Sequence, residues 1–269
     1  MTTLYNGDDV ALAEIAVNSL LSQGGESLEV RIYLYVDGPV SNECEEFIQC
    51  SESHFYKVIR GEKNRGLAFG LNRLIDNLES EEYVFRMDLD DVNQVGRFSA
   101  QIDFIENHQE YDLVGCNISE IDQSGQWLRD RAYPETYEEC MSVISKGMPI
   151  LHPTFCFRRS LFLDPSIRYP DKYLTEDLAL LSLLIRRGVK FGNVQNNLFS
   201  WRLGDEFYKR RNIRRSKVEL FEYVALVYFI YGFSFRLIWP ILRFAFRFFP
   251  GGAVKFIYGS RVKKALLKG

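Results

Sequence analysis

Tyr83-Val84-Phe85-Arg86-Met87-Asp88-Leu89-Asp90-Asp91 sets three carboxylates within four residues, directly behind an apolar run that reads as a buried strand. Crowded carboxylates repel one another and resist desolvation, so a strand end carrying them needs water, a cation or basic partners. Hard divalent cations prefer carboxylate oxygens and usually reach a protein through one or two of them, while substrate phosphates fill other positions. A solvated acidic turn is the other reading, and the flanking sequence has to separate the two.

Upstream, helices alternate with strands. Val10 to Leu21 carries apolar residues at helical spacing, with Asp8 or Asp9 as the cap and Gln23-Gly24-Gly25 as the stop. Leu28 to Val36 has the β-branched and aromatic content of a strand and ends in Asp37-Gly38-Pro39. A helix over Asn42 to Ser51, a strand over Tyr56 to Ile59, the turn Asn64-Arg65-Gly66 and a helix over Leu67 to Leu78 follow. This alternation predicts an α/β domain with a mostly parallel sheet, whose ligands lie at the carboxyl ends of the strands. Asp37 and Asp88 both occupy such ends.

Downstream, the pattern predicts a helix over Arg97 to His108, a strand over Asp112 to Cys116 and an irregular polar stretch to Glu135. Prolines fix a loop over Pro149 to Thr154, before a strand-like Thr154 to Arg158. Thr175, as N-cap, and Glu176-Asp177 open an apolar helix from Leu178 to Arg187. Acids in a first turn favour the helix dipole, so Glu176 and Asp177 have a structural reading beside a catalytic one.

A chain of 269 residues, 46% hydrophobic and 26% charged, buries a real core and suits one sizeable domain plus an appendage, which excludes disorder. Five scattered cysteines without a Cys-x-x-Cys pair indicate neither a disulfide framework nor a zinc site, and a reducing cytosol is expected. The first nine residues lack the features of a secretory signal, so export is not expected. The net charge of -3 hides an asymmetry: from Lys209 onward 14 Lys and Arg face two acids, a net +12, which leaves -15 for the rest. Such a split points to a tail that meets an anionic surface.

Leu220 to Phe235 is almost wholly apolar, Arg236 interrupts it, and Leu237 to Phe249 mixes aromatics with arginines. A spanning helix wants about 20 apolar residues without a charge at the bilayer centre. Helices lying in the interface against anionic headgroups fit this composition better. A helical hairpin packed on the catalytic domain is the second reading and a true span the third; so aromatic a tail gives nucleic acid little support. The organisation expected is a catalytic domain over 1–206 and a basic, aromatic-rich, membrane-associating helical tail over 207–269.

Several pieces, taken in order, resemble family 2 of the inverting glycosyltransferases with a GT-A fold: Thr2-Thr3-Leu4-Tyr5-Asn6-Gly7, Val36-Asp37-Gly38, Asn64-Arg65-Gly66-Leu67 with Asn72, Arg86-Met87-Asp88-Leu89-Asp90-Asp91, Arg97-Phe98, His152-Pro153-Thr154, Glu176-Asp177 and Trp201-Arg202. The resemblance implies a Rossmann-like mixed sheet flanked by helices, and transfer of a sugar from a nucleotide diphosphate to an acceptor hydroxyl. By the same resemblance, Asp37 recognises the base, with Thr3 and Tyr5 lining its pocket. Asp88 meets the ribose and is also a metal ligand beside Asp90, which binds manganese (Mn²⁺) or magnesium (Mg²⁺) bridging the donor phosphates, and Asp91 supports both. Asn64, Arg65 and Arg86 belong to the donor site, although either arginine has a second reading as a partner of the acids. Asp177 is the base, Glu176 orients the acceptor, and Trp201-Arg202 covers the sugar or diphosphate, with a buried aromatic as the alternative. His152 is either a ligand or a structural residue, and Arg97 is read as structural. Only Met1 precedes Thr2, so the first strand is abbreviated or the chain starts within it.

Membrane attachment and the resemblance together imply a peripheral enzyme at the cytoplasmic face of a bacterial inner membrane, held by anionic lipids. It would take a polyprenyl-diphosphate-linked saccharide in O-antigen, capsule or other surface polysaccharide assembly, with UDP-linked glucose or galactose as the expected donor. Two rivals remain. Asp88-Leu89-Asp90-Asp91-Val92 also fits the nucleophile motif of haloacid-dehalogenase-like phosphatases, and a membrane-bound nucleotide-binding scaffold without turnover is the non-enzyme reading. Asn93 at the glycine position excludes an EF-hand calcium loop.

Overall fold

Strand β1 (Thr2–Leu4) pairs in parallel with β2 (Ile32–Val36), and β2 in parallel with β3 (Phe55–Arg60). All five residues of β2 are buried, as expected of a parallel strand covered on both faces. The structure, a computed structural model, describes residues 1–25, 28–172, 174–204 and 213–246. Helix α1 (Val10–Leu21) starts where Asp9 accepts from the N–H groups of Ala11 and Leu12, and α2 (Asn42–Cys50) starts where the Ser41 side chain accepts from Cys44 N–H. Helix α3 (Leu67–Ile75) follows Gly66, whose φ of +88° suits glycine.

The second layer is mixed. Strands β4 (Tyr83–Phe85), β5 (Val92–Asn93), β6 (Tyr111–Ile121), β7 (Trp127–Arg131), β8 (Cys156–Arg158) and β9 (Lys190–Arg202) run in the order β4-β8-β6-β9-β5, with β7 paired to β6. Only the β6–β9 pairing is parallel among these. Met1 N donates to Phe85 O at 2.6 Å and Met87 N to Met1 O at 3.3 Å, which lays β1 beside β4 and joins the layers. The result is a mixed sheet flanked by helices α4 (Arg97–Asn107), α5 (Tyr137–Val143) and α6 (Glu176–Arg186), the GT-A arrangement. The first strand is short, at three residues.

Two expectations change. The stretch before Glu135 is not irregular, because β6 runs on to Ile121 and returns as β7, whose five residues are all exposed. Thr175 sits at the N-cap position of α6 with φ of -140° and ψ of 25° and makes no side-chain capping bond, its buried hydroxyl having no partner among the described residues.

One core cluster gathers Leu4, Val17, Leu34, Phe47 and Phe98, and the other gathers Leu74, Phe157, Leu181 and Phe191 with Tyr223 and Leu226. The last two belong to α7 (Ile213–Tyr231), inside the segment expected to be a tail; its face of Ser216, Glu219, Tyr223, Leu226 and Val227 is buried. That helix therefore packs on the domain, and cutting the chain at 209 would strip part of the second core. A short turn leads into α8 (Ile238–Phe246). No described helix is long and apolar enough to cross a membrane. The boundary expected between 206 and 207, and the basic residues after 246, lie outside the described residues.

Candidate active site

Strand β4 delivers the acidic corner. Carboxylate oxygens of Asp88, Asp90 and Asp91 lie within 4.8 Å of one another. Arg86, 1% exposed, forks onto Asp88, donating from Nη1 to Oδ2 at 2.7 Å and from Nη2 to Oδ1. Asp90 is exposed, while Asp91 is 1% exposed and accepts from Arg202 N at 2.8 Å through Oδ1. Its Oδ2 is buried without a partner among the described residues, and burial, with Asp90 and Asp88 beside it, raises its pKa well above the usual carboxylate range. Three crowded carboxylates and an orphaned buried oxygen are a donor set that fits a hard divalent cation.

Arg97, wholly buried, supports this corner from below. Its guanidinium donates to Asn93 Oδ1 at 2.5 Å, Gln101 Oε1 at 2.9 Å, Pro153 O at 3.1 Å and Arg86 O at 3.2 Å. One cation thus ties the β4 end to the His152-Pro153-Thr154 loop.

The other residues expected to bind the donor lie on or follow the parallel strands β1, β2 and β3. Asp37, just past β2, accepts from Arg65 N and Gly66 N, each at 2.8 Å, and so holds the turn before α3. Gly38 permits the approach: its φ is +86°, and a Cβ there would lie 2.4 Å from Asn64 N. Asn64 and Arg65 are exposed, with Arg65 stacked 3.7 Å over the Phe69 ring. Tyr5 is exposed and half-buried Thr3 lies against α3 near Gly70.

Glu176 and Asp177 form the first turn of α6, both half-buried. Leu178 N donates to Asp177 Oδ1 at 2.7 Å. Burial and neighbouring Asp177 push Glu176 up to about 7, and burial raises Asp177 as well. Buried His152 has its Nε2 2.9 Å from the Tyr169 hydroxyl, and burial with nearby Arg86 holds it neutral, well below its ordinary pKa. Tyr169 is itself clamped by Asn72, which accepts from Tyr169 N at 2.8 Å and donates to Tyr169 O at 2.9 Å. Burial raises the Tyr169 hydroxyl above its ordinary pKa, with Arg86 opposing the shift and Glu176, Asp177 and Asp88 adding to it. No periodicity marks Tyr169 in the sequence; only its clamp identifies it.

Trp201 and Arg202 end β9. Arg202 donates from Nε to Asp90 O at 2.8 Å and from Nη1 to Asp122 O at 3.0 Å and Gln123 O at 2.9 Å, so its guanidinium binds main chain beneath the corner. Trp201 is half-buried and packs on the first core cluster.

Residues 2–164 match the model of glycosyl transferase family 2. The chain belongs to this family. It is 28% identical to an uncharacterized glycosyltransferase of Haemophilus influenzae, covering 98% of each chain. It is 27% identical to the amylovoran biosynthesis glycosyltransferase AmsE of Erwinia amylovora, covering 96% of each. A UDP-Gal:alpha-D-GlcNAc-diphosphoundecaprenol beta-1,3-galactosyltransferase of Escherichia coli is 27% identical, over 65% of this chain and 63% of that protein. Among solved structures, S. aureus TarS 1-349 in complex with UDP-GlcNAc superposes with a TM-score of 0.65 at 15% identity, covering 97% of this chain and 72% of that one, a likeness of fold. This family 2 protein is a glycosyltransferase, which displaces both the phosphatase and the scaffold reading.

Proposed function

We propose that this family 2 enzyme transfers a hexose, with inversion, from a UDP-sugar to a hydroxyl of a polyprenyl-diphosphate-linked saccharide during surface polysaccharide assembly. One observation carries the reading: carboxylate oxygens of Asp88, Asp90 and Asp91 gather within 4.8 Å of one another just past the end of β4, while Asp37 holds the turn before α3 just past the end of β2. Asp37, Thr3, Tyr5, Asn64 and Arg65 bind the nucleoside end. Asp90, with Asp88 and Asp91, would hold Mn²⁺ or Mg²⁺, which when bound stabilises the charge growing on the departing diphosphate. Asp177 takes the proton of the acceptor hydroxyl as the new glycosidic bond forms and the bond from sugar to diphosphate breaks, and Glu176 orients that hydroxyl. Buried, neutral His152 and Tyr169 keep the floor between the two groups rigid.

The Escherichia coli relative's name specifies a diphosphoundecaprenol-linked acceptor, and this supports a lipid-linked acceptor here. The α7–α8 turn supports a peripheral position on the cytoplasmic face of the inner membrane: Phe233 is 91% exposed and Phe235 79%. Phe221, Phe229, Ile241 and Leu242 add further exposed apolar side chains on α7 and α8, and Arg236 supplies charge for anionic headgroups. The test is calorimetric titration with UDP, with and without Mn²⁺, followed by mass-spectrometric detection of sugar transfer to inner-membrane lipid extract. Metal-dependent UDP binding with a glycosylated lipid product is the expected result; absence of UDP affinity refutes the donor, and product without lipid refutes the acceptor.

A further inference from the structure

We propose that the cleft between α1 and the hairpin of β6 and β7 is a saccharide subsite, which holds sugar units of the acceptor beside the acidic corner. The inference rests on the reading of the acceptor as a saccharide. Strand pairing lays out the floor. Val92 of β5 stands opposite Ser200 of β9, and in the next row Arg202 of β9 lies beside Ile121 of β6. Paired residues point to one face of a sheet, as do alternate residues of a strand, so these four share a face. Leu12 and Ile15 of α1 line the cleft as well, and the space enclosed is about 300 Å³, the lower end of the range for small-molecule sites.

The lining matches a sugar ring, which carries hydroxyls at its rim and C–H groups on its faces. Apolar Leu12, Ile15, Val92 and Ile121 supply the surface for the C–H groups. Gln94 Nε2 donates to Ser200 Oγ at 2.7 Å, which orients both side chains and leaves Gln94 Oε1 and the Ser200 hydrogen without a partner among the described residues. Arg202 spends Nε on Asp90 O and Nη1 on Asp122 O and Gln123 O, and its Nη2 has no partner among them either. Ser200 and Arg202 are 6% and 7% exposed, so these donors stand at the bottom of the cleft.

Trp127 extends the same face beyond the cleft. It stands opposite Ile121 on β7, is 63% exposed, and donates from Nε1 to Asp130 Oδ1 at 2.9 Å. That oxygen also accepts from Ser119 Oγ at 2.8 Å, and Ser119 pairs with Ser200, so the indole is fixed on this face with most of its surface open to a ligand. Among the described residues no Asp, Glu or Lys lines the cleft, and its one guanidinium is already shared among three carbonyls. Such a lining suits a neutral polyhydroxylated ligand better than a phosphate, which calls for charge-assisted donors. Arg202 N also holds Asp91 Oδ1 at 2.8 Å, so a sugar bonded to Nη2 lies one side chain from the acidic corner.

The experiment uses the full chain and three variants that leave Arg202 in place: Trp127→Ala, Gln94→Ala, and Ile15→Glu, which puts a charge on a wall residue 47% exposed. Saccharides released by mild acid from inner-membrane lipid extract are the binding probe, read by saturation-transfer NMR, and the intact extract is the acceptor for transfer. Wild type should pass saturation to saccharide C–H protons, and Trp127→Ala and Ile15→Glu should lose that signal. Each variant should raise KM for the lipid-linked acceptor by ~5-fold or more, with kcat, UDP affinity and Tm unchanged. Unchanged KM in all three overturns the subsite, as does a matching loss of UDP affinity, which would assign the cleft to the donor. Displacement of the saccharide by inorganic phosphate overturns it too, by making Arg202 an anion site. A wild type that transfers sugar to no saccharide overturns the acceptor reading itself. The NMR titration then still decides the cleft, since a signal lost in Trp127→Ala supports it and no signal in wild type overturns it.

Discussion

The main-chain N–H of Arg202 donates to Asp91 Oδ1 at 2.8 Å across 111 positions of sequence, fastening the end of β9 to the acidic corner behind β4. The same arginine's Nε reaches Asp90 O at 2.8 Å, so the geometry of the corner depends on a strand closed long after it in the chain. Asp91 is left with one oxygen bonded and one buried without a partner among the described residues.

Replacing Asp91 with Asn keeps the Oδ1 acceptor and removes a charge that burial and two neighbouring carboxylates oppose. Asp91→Asn should therefore match or exceed the wild-type Tm while weakening Mn²⁺-dependent UDP binding by ~10-fold or more, at 1.4 kcal/mol per tenfold. Exposed Asp90, changed to Ala, should abolish the metal dependence without a loss of Tm. Calorimetry with and without EDTA checks both, and metal-independent UDP binding in the wild type would remove the cation from the mechanism.

Asp177→Asn should leave UDP affinity near normal and cut transfer by roughly 10²–10⁴-fold, the span of a lost general base. Single-turnover rates at saturating donor measure it. A comparable loss of UDP affinity would move Asp177 to the donor side.

The pH dependence of rate and of stability should run in opposite senses. Burial raises Asp177, and a protonated Asp177 cannot accept the acceptor's proton, so kcat should fall as pH drops, while Glu176, which orients the acceptor, takes up its own proton at about 7. Folded Glu176 binds its proton more tightly than the unfolded chain does, at about 7 against 4.5, so its contribution to stability is complete below 4.5 and lost as pH rises through 7. Glu176→Gln should accordingly gain Tm over wild type as pH rises across that window. A pH-rate profile flat down to pH 5 would contradict the raised pair.

Phe233→Ser with Phe235→Ser should release the protein from anionic vesicles without a change in Tm, because these side chains are 91% and 79% exposed. Vesicle flotation with phosphatidylglycerol measures it. Truncation at 209 is a poorer test, since it removes Tyr223 and Leu226 from the core.

Gly38→Ala should lower stability by about 1–3 kcal/mol, the usual cost of a residue held in a sparsely populated region of φ/ψ space. The new Cβ would meet Asn64 N at 2.4 Å, so the turn held by Asp37 should open and UDP affinity should fall with it. Denaturant unfolding and UDP titration check the two effects, and retained affinity would detach this turn from the nucleotide site.

Legibility in the sequence followed the strength of local signals. The α1 cap at Asp9, the β4 run before Asp88 and the α6 start at Glu176 are each marked by residues within one turn or strand of the feature. Strand β9 was not, because Asn193, Gln195 and Asn197 break its apolar alternation. Asn193 is fully buried all the same, its amide donating to Pro134 O at 2.7 Å and Pro149 O at 3.1 Å. Strand β7 buries nothing, so no pattern announces it; pairing to β6 and the ion pair of Arg129 with Glu120 hold it.

By itself the sequence determined that an α/β sheet ends in a carboxylate cluster and that a second acidic pair opens a later helix, because caps, periodicity and charge crowding act over a few residues. Only the tertiary structure decided what each of those groups faces. That Arg202 turns inward to main-chain carbonyls, that the Tyr169 hydroxyl meets His152, and that α7 buries a stripe on the domain all depend on residues far apart in the chain, and burial sets protonation through neighbours that no local pattern names.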